Sequence, residues 1–196
     1  MSVSVVIANF NGSKVLRDCL PENMAMFEKL GITDVIVVDD VSTDDSVAYI
    51  RASFPNINLI QNTVNSYFSK TCNVGAAQAK EDILLFLNSD MVVKEWDLES
   101  AKTMLNDPTI FALTPTILRK DTDNEWINEG PTYGYFLGGW VSTENDFTLH
   151  KREASPHGAP ILWSCGGAFL VKKERYDTLN GFDQKLLSPF YCEDLD

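Results

Sequence analysis

The stretch from residue 83 to residue 93 restricts the fold of this chain more than any other. An uninterrupted apolar run, residues 83–87 (ILLFL), is followed by the polar segment 88–90 (NSD) and by further apolar residues. A short apolar run that ends in turn residues predicts a strand buried on both faces of a parallel sheet. The polar segment would then lie at the carboxyl end of the strand, which is the edge where open α/β sheets bind ligands.

The chemistry of this polar segment has two interpretations. Asp90 supplies a carboxylate beside an amide (Asn88) and a hydroxyl (Ser89), and such hard oxygen ligands suit a divalent cation that also holds phosphates. The alternative is an ordinary turn, since Asn, Ser and Asp are common turn residues. These residues alone leave both interpretations open.

Length and charge narrow the class of protein. The chain has 196 residues, of which 44% are hydrophobic and 22% charged, so we expect a single globular domain over residues 1–196. The net charge of -12 argues against a nucleic-acid partner, which would require a basic face. It does not exclude a nucleotide, whose phosphates a metal ion can neutralise locally.

The spacing of the cysteines and the first residues of the chain indicate the cellular compartment. The four cysteines form no CxxC pair, which predicts free thiols in a reducing compartment: Cys19, Cys72, Cys165 and Cys192. The chain starts without a basic leader, and no apolar stretch reaches the roughly 20 residues of a membrane span. We therefore expect a cytoplasmic protein, with peripheral association with a membrane left open.

In the first half, strands alternate with helical segments, which predicts an α/β fold with a mostly parallel sheet. A β-branched run at residues 2–8 predicts the first strand, and Ser13 is a candidate cap for the helix that follows. Pro21 predicts a break in that helix or the start of a new one. The small residues of segment 73–79 predict a helix packed closely on the sheet.

Polar residues also follow the second apolar run, residues 35–38. Asp39 and Asp40 come directly after it, and Thr43 or Asp44 could cap the next helix. Asp40 could itself be a plain helix cap. Two carboxylates at the end of an interior strand form a ligand-binding arrangement.

The second half of the chain has a less regular sequence pattern than the first. Residues 110–118 predict a strand that Pro115 places at an edge or a bulge. Residues 121–160 combine glycines, prolines and aromatic residues, which predicts an irregular aromatic-rich region. Its aromatic rings could stack on sugars or simply pack together, and both interpretations stay open. Glu193 and Asp194, the latter two residues before the last one, form a third acidic cluster unless they belong to a solvated tail.

Three acidic clusters could together serve a nucleoside, a metal ion and a proton, which is the minimum set for moving a group from a nucleotide donor to a hydroxyl. The sequence resembles the family 2 glycosyltransferases through five motifs in the family's order. These are the opening strand at 4–11, the acidic turn at 37–44, the NxxFxxxxNxG segment at 65–75, LNSD at 87–90, and GFD at 181–183 followed by YCED at 191–194.

The resemblance implies a GT-A fold with a nucleotide-binding half at residues 1–120 and an acceptor-side half at 121–196. The family normally continues past the last motif into a further helix, so by this resemblance the second half is C-terminally incomplete. Val41 stands where the family often has glycine or asparagine, and Asn88 where it often has aspartate.

The resemblance also implies roles for individual residues. Phe10 would stack on the nucleobase, Asp40 would bond to the base edge, and Asp39 would lie near the ribose. The full set implied in nucleotide binding is Ala8, Phe10, Asn11, Asp39, Asp40, Asn65, Asn73 and Ser89.

For the reaction, the resemblance implies that Asp90 binds Mn²⁺ or Mg²⁺ on the diphosphate. Asp194 would be the general base that deprotonates an acceptor hydroxyl, with inversion at the anomeric carbon, and Glu193 would support the acceptor. The donor would be a UDP-sugar first, with dTDP- and GDP-sugars as alternatives, and the acceptor a glycan or another hydroxyl compound. A homodimer is a further expectation.

Three other functions compete with this interpretation. A non-catalytic or incomplete nucleotide-sugar-binding domain, needing a partner, would share the early motifs. A receiver domain of signalling proteins would need its acidic pair after the first strand, whereas Asp39 and Asp40 follow the second. A nucleotidyltransferase would need a glycine-rich basic loop after the first strand, and residues 9–14 (NFNGSK) do not supply one.

Overall fold

The structure is a computed structural model, and it describes residues 1–120, 123, 126–128, 132–137, 140–145, 161 and 164–184. Glu193 and Asp194, the predicted catalytic residues, lie outside the described residues, as does Cys192. Cys19 is a free, partly buried thiol, as predicted.

Within these residues, strands and helices alternate through the first half. The helices are α1 (Ser13–Lys29), α2 (Ser46–Ser53), α3 (Tyr67–Gln78), α4 (Leu98–Leu105) and α5 (Lys173–Thr178). The strands are β1 (Val3–Asn9), β2 (Asp34–Asp39), β3 (Asn58–Gln61), β4 (Ile83–Asn88), β5 (Ala112–Leu113), β6 (Leu118–Lys120), β7 (Trp126–Asn128), β8 (Thr132–Leu137), β9 (Trp140–Asn145) and β10 (Ala168–Lys172).

The main sheet has the strand order β3-β2-β1-β4-β10-β5. The first four strands in this order are parallel, and β10 runs antiparallel to both of its neighbours. The prediction of a mostly parallel α/β sheet is therefore confirmed. β5 ends before Pro115 and lies at the edge of the sheet. Two antiparallel pairs, β6–β7 and β8–β9, lie outside the main sheet.

Helices cover both faces of the sheet because its central strands are apolar on both sides. The side chains of Leu16, Leu20 and Phe27 on α1 pack against one face. On the other face, Phe86 stacks on Phe169 with 4.7 Å between ring centroids, and Tyr176 packs beside them. Full burial of one such side chain contributes roughly 1.5–3 kcal/mol. This two-faced burial explains why the interior strands are uninterrupted apolar runs.

α1 departs from prediction at two positions. It continues through Pro21 without ending, so the predicted break or new start is wrong. Pro21 lies on the exposed side, while Leu20 and Asn23 beside it are buried and hold both parts of the helix against the protein. Ser13 does not cap α1 with its side chain. The N–H of Ser13 instead donates to the carboxylate of Asp44, 2.8 Å away, so the cap comes from another loop.

α3 confirms the predicted close packing on the sheet, although it begins at Tyr67, before the predicted start. A Cβ on Gly75 would overlap the side chain of Val6 on β1 and approach that of Val38 on β2 to 3.1 Å. The helix can therefore lie this near the sheet because position 75 has no side chain. In the part of the chain that the structure describes, no helix is long and apolar enough to cross a membrane.

Candidate functional site

The candidate site lies where the order of the parallel strands reverses. From β1 the chain runs outward through β2 to β3, and it then returns through α3 to β4 on the other side of β1. Such a switch point opens a crevice at the carboxyl ends of the strands. A pocket of about 320 Å³ occupies this position, lined by Ala8, Phe10, Asn11, Gly12, Val15, Phe68, Asn88, Ser89 and Asp90.

Five of the residues predicted from the sequence line this pocket. Ala8, Phe10 and Asn11 come from the end of β1, and Ser89 and Asp90 come from the end of β4. Phe10 is 55% exposed, so its ring is accessible to a ligand in this pocket. The pocket thus has an aromatic ring on one wall and a carboxylate on the other.

Asp39 joins the ends of β1 and β2 and is not part of the pocket lining. Its carboxylate is buried and accepts hydrogen bonds from Asn9 Nδ2 at 2.8 Å and from the Ser42 N–H at 3.0 Å. The Oδ1 atom of Asn9 is buried and has no hydrogen-bond partner among the described residues. A Cβ on Gly12 would overlap this oxygen, so a larger residue at position 12 would force the Asn9 side chain to move.

Asp40 holds the start of α3. Its carboxylate accepts hydrogen bonds from the N–H groups of Ser66 and Tyr67, each at 2.8 Å at the nearest oxygen, and from Asn62 Nδ2 at 2.8 Å. A carboxylate at a helix N-terminus is favoured by the helix dipole. The helix-cap interpretation thus describes its contacts, although the helix is α3 rather than the one that follows Asp40. Its bond to a base edge stays a prediction.

The loops after β1 and β2 are tied directly to each other. The N–H of Asn11 donates to Ser42 Oγ at 2.8 Å, and Asn11 Oδ1 accepts from the N–H of Thr43 at 2.8 Å. Asn11, Val41 and Tyr67 all have left-handed backbones, with φ of 51°, 63° and 59°. A left-handed conformation costs roughly 1–2 kcal/mol for a residue with a side chain. Such strain is concentrated in functional loops of proteins.

Asp44 and Asp45 connect the starts of α1 and α2. Asp44 accepts hydrogen bonds from the N–H groups of Ser13 and Ser46, and Asp45 accepts from Ser13 Oγ and from Arg17. Burial raises the pKa of Asp44, but the hydrogen bonds outweigh burial and leave the pKa below its ordinary value. The bonds from Ser13 and Arg17 likewise lower the pKa of Asp45. Both groups are therefore ionised at neutral pH.

Asn65 and Asn73 are not part of the pocket lining. Asn65 is exposed, and its Oδ1 accepts from the N–H of Tyr67 at 3.2 Å. Asn73 Nδ2 donates to the carbonyl of Phe182 at 2.9 Å, and its Oδ1 accepts from the N–H of Phe182 at 3.0 Å. Their predicted roles in nucleotide binding stay predictions.

Asp90 differs from the other carboxylates at this edge. It is exposed, and within the described part of the chain no group donates a hydrogen bond to it. Asp90 is thus the carboxylate on the pocket wall that is not committed to a protein donor.

The charge of Asp90 also acts on a neighbouring thiol. Burial raises the pKa of the Cys19 thiol, and the negative charges of Asp18 and Asp90 raise it further.

The donor set at Asp90 fits a hard divalent cation that shares its coordination with a ligand. Among the described residues there is no group of three or more His, Cys, Asp or Glu side chains that could hold a metal ion without help. Mg²⁺ is commonly bound by one or two carboxylates together with substrate phosphates. One exposed carboxylate beside the Ser89 hydroxyl meets that requirement.

Several pocket residues were not among the predicted site residues. Gly12, Val15, Phe68 and Asn88 also line the pocket. Phe68 lies in the NxxFxxxxNxG segment and Asn88 in the LNSD motif, so these motifs could have indicated both as pocket residues. Val15 has no such signal, because it belongs to the apolar stripe of α1.

The fold and the pocket together define the class of protein. A pocket at the switch point of a mostly parallel α/β sheet, with an exposed aromatic ring, is typical of α/β proteins that bind nucleotides. Comparison with known proteins makes the assignment specific. The chain belongs to the family described as glycosyl transferase family 2, whose model matches residues 4–175.

Two curated proteins show the relationship. The chain is 32% identical to polypeptide N-acetylgalactosaminyltransferase 8 of Drosophila melanogaster over 197 aligned positions, covering 94% of this chain and 32% of the relative. It is 26% identical to rhamnosyltransferase WbbL of Escherichia coli, covering 66% of this chain and 52% of the relative. The chain thus spans between a third and about a half of the length of these relatives.

Solved structures confirm the GT-A fold. GalNAc-T7, solved with UDP, GalNAc and Mn²⁺, superposes with a TM-score of 0.73 at 16% identity, covering 93% of this chain and 37% of that one. The mannosyltransferase PcManGT of Pyrobaculum calidifontis, solved with GDP-Man and Mn²⁺, gives a TM-score of 0.64 at 20% identity, with 93% and 48% covered. TarS of S. aureus in complex with UDP gives 0.63 at 20% identity, with 99% and 53% covered.

Proposed function

We propose that this chain binds a nucleotide-diphosphate sugar in the switch-point pocket and transfers the sugar to an acceptor hydroxyl. The observation that carries the proposal is the pairing of an exposed aromatic ring, Phe10, with an uncommitted carboxylate, Asp90, in one pocket of about 320 Å³. An aromatic surface suits a nucleobase, and a carboxylate suits a cation that neutralises a diphosphate.

The nucleoside would lie at the β1 side of the pocket. Phe10 would stack on the base, with Asn11 beside it. Asp39 binds Asn9 at the end of β1, and Asp40 binds Ser66 at the start of α3. Asp39 would serve the ribose and Asp40 the base. Ser89 would contribute its hydroxyl from the β4 side.

The diphosphate would lie at the β4 side, with a divalent cation held by Asp90. When bound there, the cation would neutralise the charge that develops on the departing diphosphate. Two of the solved relatives were determined with Mn²⁺ bound, which supports testing this ion first. Both Mn²⁺ and Mg²⁺ fit a carboxylate and a hydroxyl as protein ligands.

The acceptor side of the reaction rests on the sequence resemblance. Asp194 would accept the proton of the acceptor hydroxyl, with Glu193 supporting the acceptor. Attack from the face opposite the diphosphate would invert the anomeric carbon. Recording the anomeric configuration of the first product by NMR checks this point, since a retained configuration would contradict it.

The donor class is proposed as a UDP-sugar. UDP is bound in two of the solved relatives described above, and a GDP-sugar in the third, so both nucleotides belong in the test together with dTDP. The acceptor is proposed as a glycan or another hydroxyl compound. A homodimer and peripheral membrane association stay predictions.

The test is calorimetric titration of UDP, dTDP and GDP, each with and without Mn²⁺. We expect one nucleotide to bind in a metal-dependent way, and Asp90→Ala to weaken this binding by about tenfold or more, which corresponds to about 1.4 kcal/mol. Asp82→Ala is the matched control. Asp82 is an exposed aspartate that directly precedes β4, whereas Asp90 follows the other end of the same strand.

The outcomes separate the competing functions. Binding that does not depend on metal, or that survives Asp90→Ala, would contradict the proposed metal site. Metal-dependent binding without sugar release or transfer, over a range of donors and acceptors, would favour a non-catalytic nucleotide-sugar-binding domain.

A further inference from the structure

Asn23 is a buried amide in the middle of α1 that none of the sequence motifs includes. Its side chain belongs to the face of the helix that packs on the protein, and it is 2% exposed. Its Nδ2 atom donates to the carbonyl of Met91 at 2.8 Å, and its Oδ1 atom accepts from the N–H of Val93 at 2.9 Å. One side chain thus binds two backbone groups of the segment that follows Asp90.

These two bonds replace the support that a strand would have given. Residues 91–93 have no regular secondary structure, so their N–H and C=O groups have no ladder to join. Buried backbone groups without partners cost roughly 1–3 kcal/mol each. Asn23 satisfies one acceptor and one donor at once, which fixes the distance and the direction of this segment relative to α1.

The segment before Asp90 is fixed as well. Asn88 is the last residue of β4, its N–H donates to the carbonyl of Gly167 at 2.9 Å, and its own carbonyl accepts from the N–H of Met91 at 3.1 Å. Asp90 therefore lies in a short turn between β4 on one side and the segment held by Asn23 on the other. The nearby ion pair of Lys94 and Glu22 is exposed, and exposed pairs contribute little.

We propose that Asn23 is a positioning residue that sets the place of the Asp90 carboxylate on the pocket wall. This inference rests on the proposed function, in which Asp90 holds a divalent cation on the donor diphosphate. Asn23 does not touch the pocket. It acts through the backbone of residues 91–93, as groups outside the ligand set do when they orient a metal ligand.

The variants are Asn23→Ala, which removes both bonds, and Asn23→Asp, which keeps the size and the acceptor for Val93 but loses the donor to Met91. Ser4→Ala is the control. Ser4 Oγ is buried and donates to Asp34 at 2.5 Å, in a polar cluster at the opposite end of the sheet, so its loss affects stability without touching the Asp90 turn. Asp90→Ala serves as the reference for loss of the metal ligand.

Two readouts are measured on each variant. The first is the affinity for UDP with and without Mn²⁺. Loss of an orienting group commonly costs about 10- to 100-fold in metal affinity, so we expect Asn23→Ala to weaken the Mn²⁺-dependent binding by about tenfold and to leave metal-free binding unchanged. The second is hydrogen exchange at the amide of Val93, which we expect to accelerate in Asn23→Ala and to stay protected in Asn23→Asp and Ser4→Ala.

The controls separate the two proposals. If both Asn23 variants bind UDP and Mn²⁺ as the unmodified chain does, while Asp90→Ala loses this binding, the positioning role is overturned and the proposed function stands. If Asp90→Ala also binds normally, the proposed function fails and the inference fails with it. A weakening of the same size in Ser4→Ala would show a general loss of stability and would likewise overturn the positioning role.

Discussion

The side-chain amide of Asn73 binds both backbone groups of Phe182, which lies 109 positions further along the chain. The same Oδ1 atom accepts a hydrogen bond from the hydroxyl of Tyr176 at 2.5 Å. The ring of Phe182 packs at 5.8–5.9 Å, centroid to centroid, from the rings of Phe86, Phe169 and Tyr176. Two motifs that the sequence places far apart therefore meet, and they close one face of the sheet around α3.

The first prediction concerns this contact. We expect Asn73→Ala to lower the free energy of unfolding by about 2–4 kcal/mol, because it removes three hydrogen bonds and leaves the groups of Phe182 without their partner. Urea unfolding measures the loss. Asn73→Asp keeps the acceptor and loses the donor, so we expect an intermediate effect.

Gln78→Ala, an exposed change near the end of the same helix, is the control and should be close to neutral. An Asn73→Ala variant as stable as Gln78→Ala would contradict the structural role of Asn73. A full loss of UDP binding by a stable, folded Asn73→Ala variant would instead support its predicted role in nucleotide binding.

The second prediction concerns the close approach of α3 to β1. We expect Gly75→Ala to destabilise the protein by about 1–3 kcal/mol, because the new methyl group overlaps the side chain of Val6. In a double-mutant cycle, Val6→Ala should make Gly75→Ala less costly. Gly31→Ala is the contrast, since its φ of +70° strains any side chain while no atom lies within 4 Å. Rescue of both glycine variants by Val6→Ala would contradict the packing argument.

The third prediction concerns strain at Val41. This exposed β-branched residue has a φ of 63° in the loop between Asp40 and Ser42. We expect Val41→Asn to raise the free energy of unfolding by about 1 kcal/mol, since Asn tolerates the left-handed region better than a branched side chain does. The thermal midpoint measures this gain. Val41→Ile, equally branched, should give none, and a loss of stability in Val41→Asn would contradict the assigned backbone conformation.

The fourth prediction is a pH dependence. The pKa of Asp44 in the folded chain lies below the ordinary value of 3.8, because hydrogen bonds from Ser46 and Ser13 outweigh burial. A carboxylate whose pKa is lowered by folding stabilises the protein above pH 3.8, and this contribution is lost as the pH falls through the folded value. Urea unfolding across a pH series that brackets 3.8 measures this loss. The free energy of unfolding should fall less steeply with decreasing pH in Asp44→Asn than in the unmodified chain. An equally steep fall in both proteins would contradict the lowered pKa of Asp44.

The interior strands and the two walls of the pocket were predictable from sequence because both depend on local order. An apolar run that ends in polar residues specifies a buried strand and the edge that follows it, as at residues 83–90. Phe10, Asn11, Ser89 and Asp90 stand directly after such strands, so their place on the pocket follows from the strands themselves.

The residues that hold those walls were not predictable, since their partners are brought close only by the folded chain. Asn23 sits in a helix with nothing local to mark it, and the segment it binds lies 68 positions away. Pro21 predicted a break in α1, but the helix continues because the buried side chains of Leu20 and Asn23 hold it against the protein on both sides of the proline. Asp40 also accepts hydrogen bonds from the start of α3, a contact that no local pattern indicates.

Paramagnetic broadening of amide resonances by Mn²⁺, in the presence of UDP, tests the metal-dependent nucleotide site most directly. We expect broadening at Asn11, Gly12, Ser89 and Asp90, which surround the pocket, and sharp resonances at Glu81 and Asp82 at the other end of β4. Mg²⁺ with UDP, which is diamagnetic, should shift these resonances without broadening them. Broadening centred away from the ends of β1 and β4, or its persistence in Asp90→Ala, would contradict the proposed metal-dependent nucleotide site.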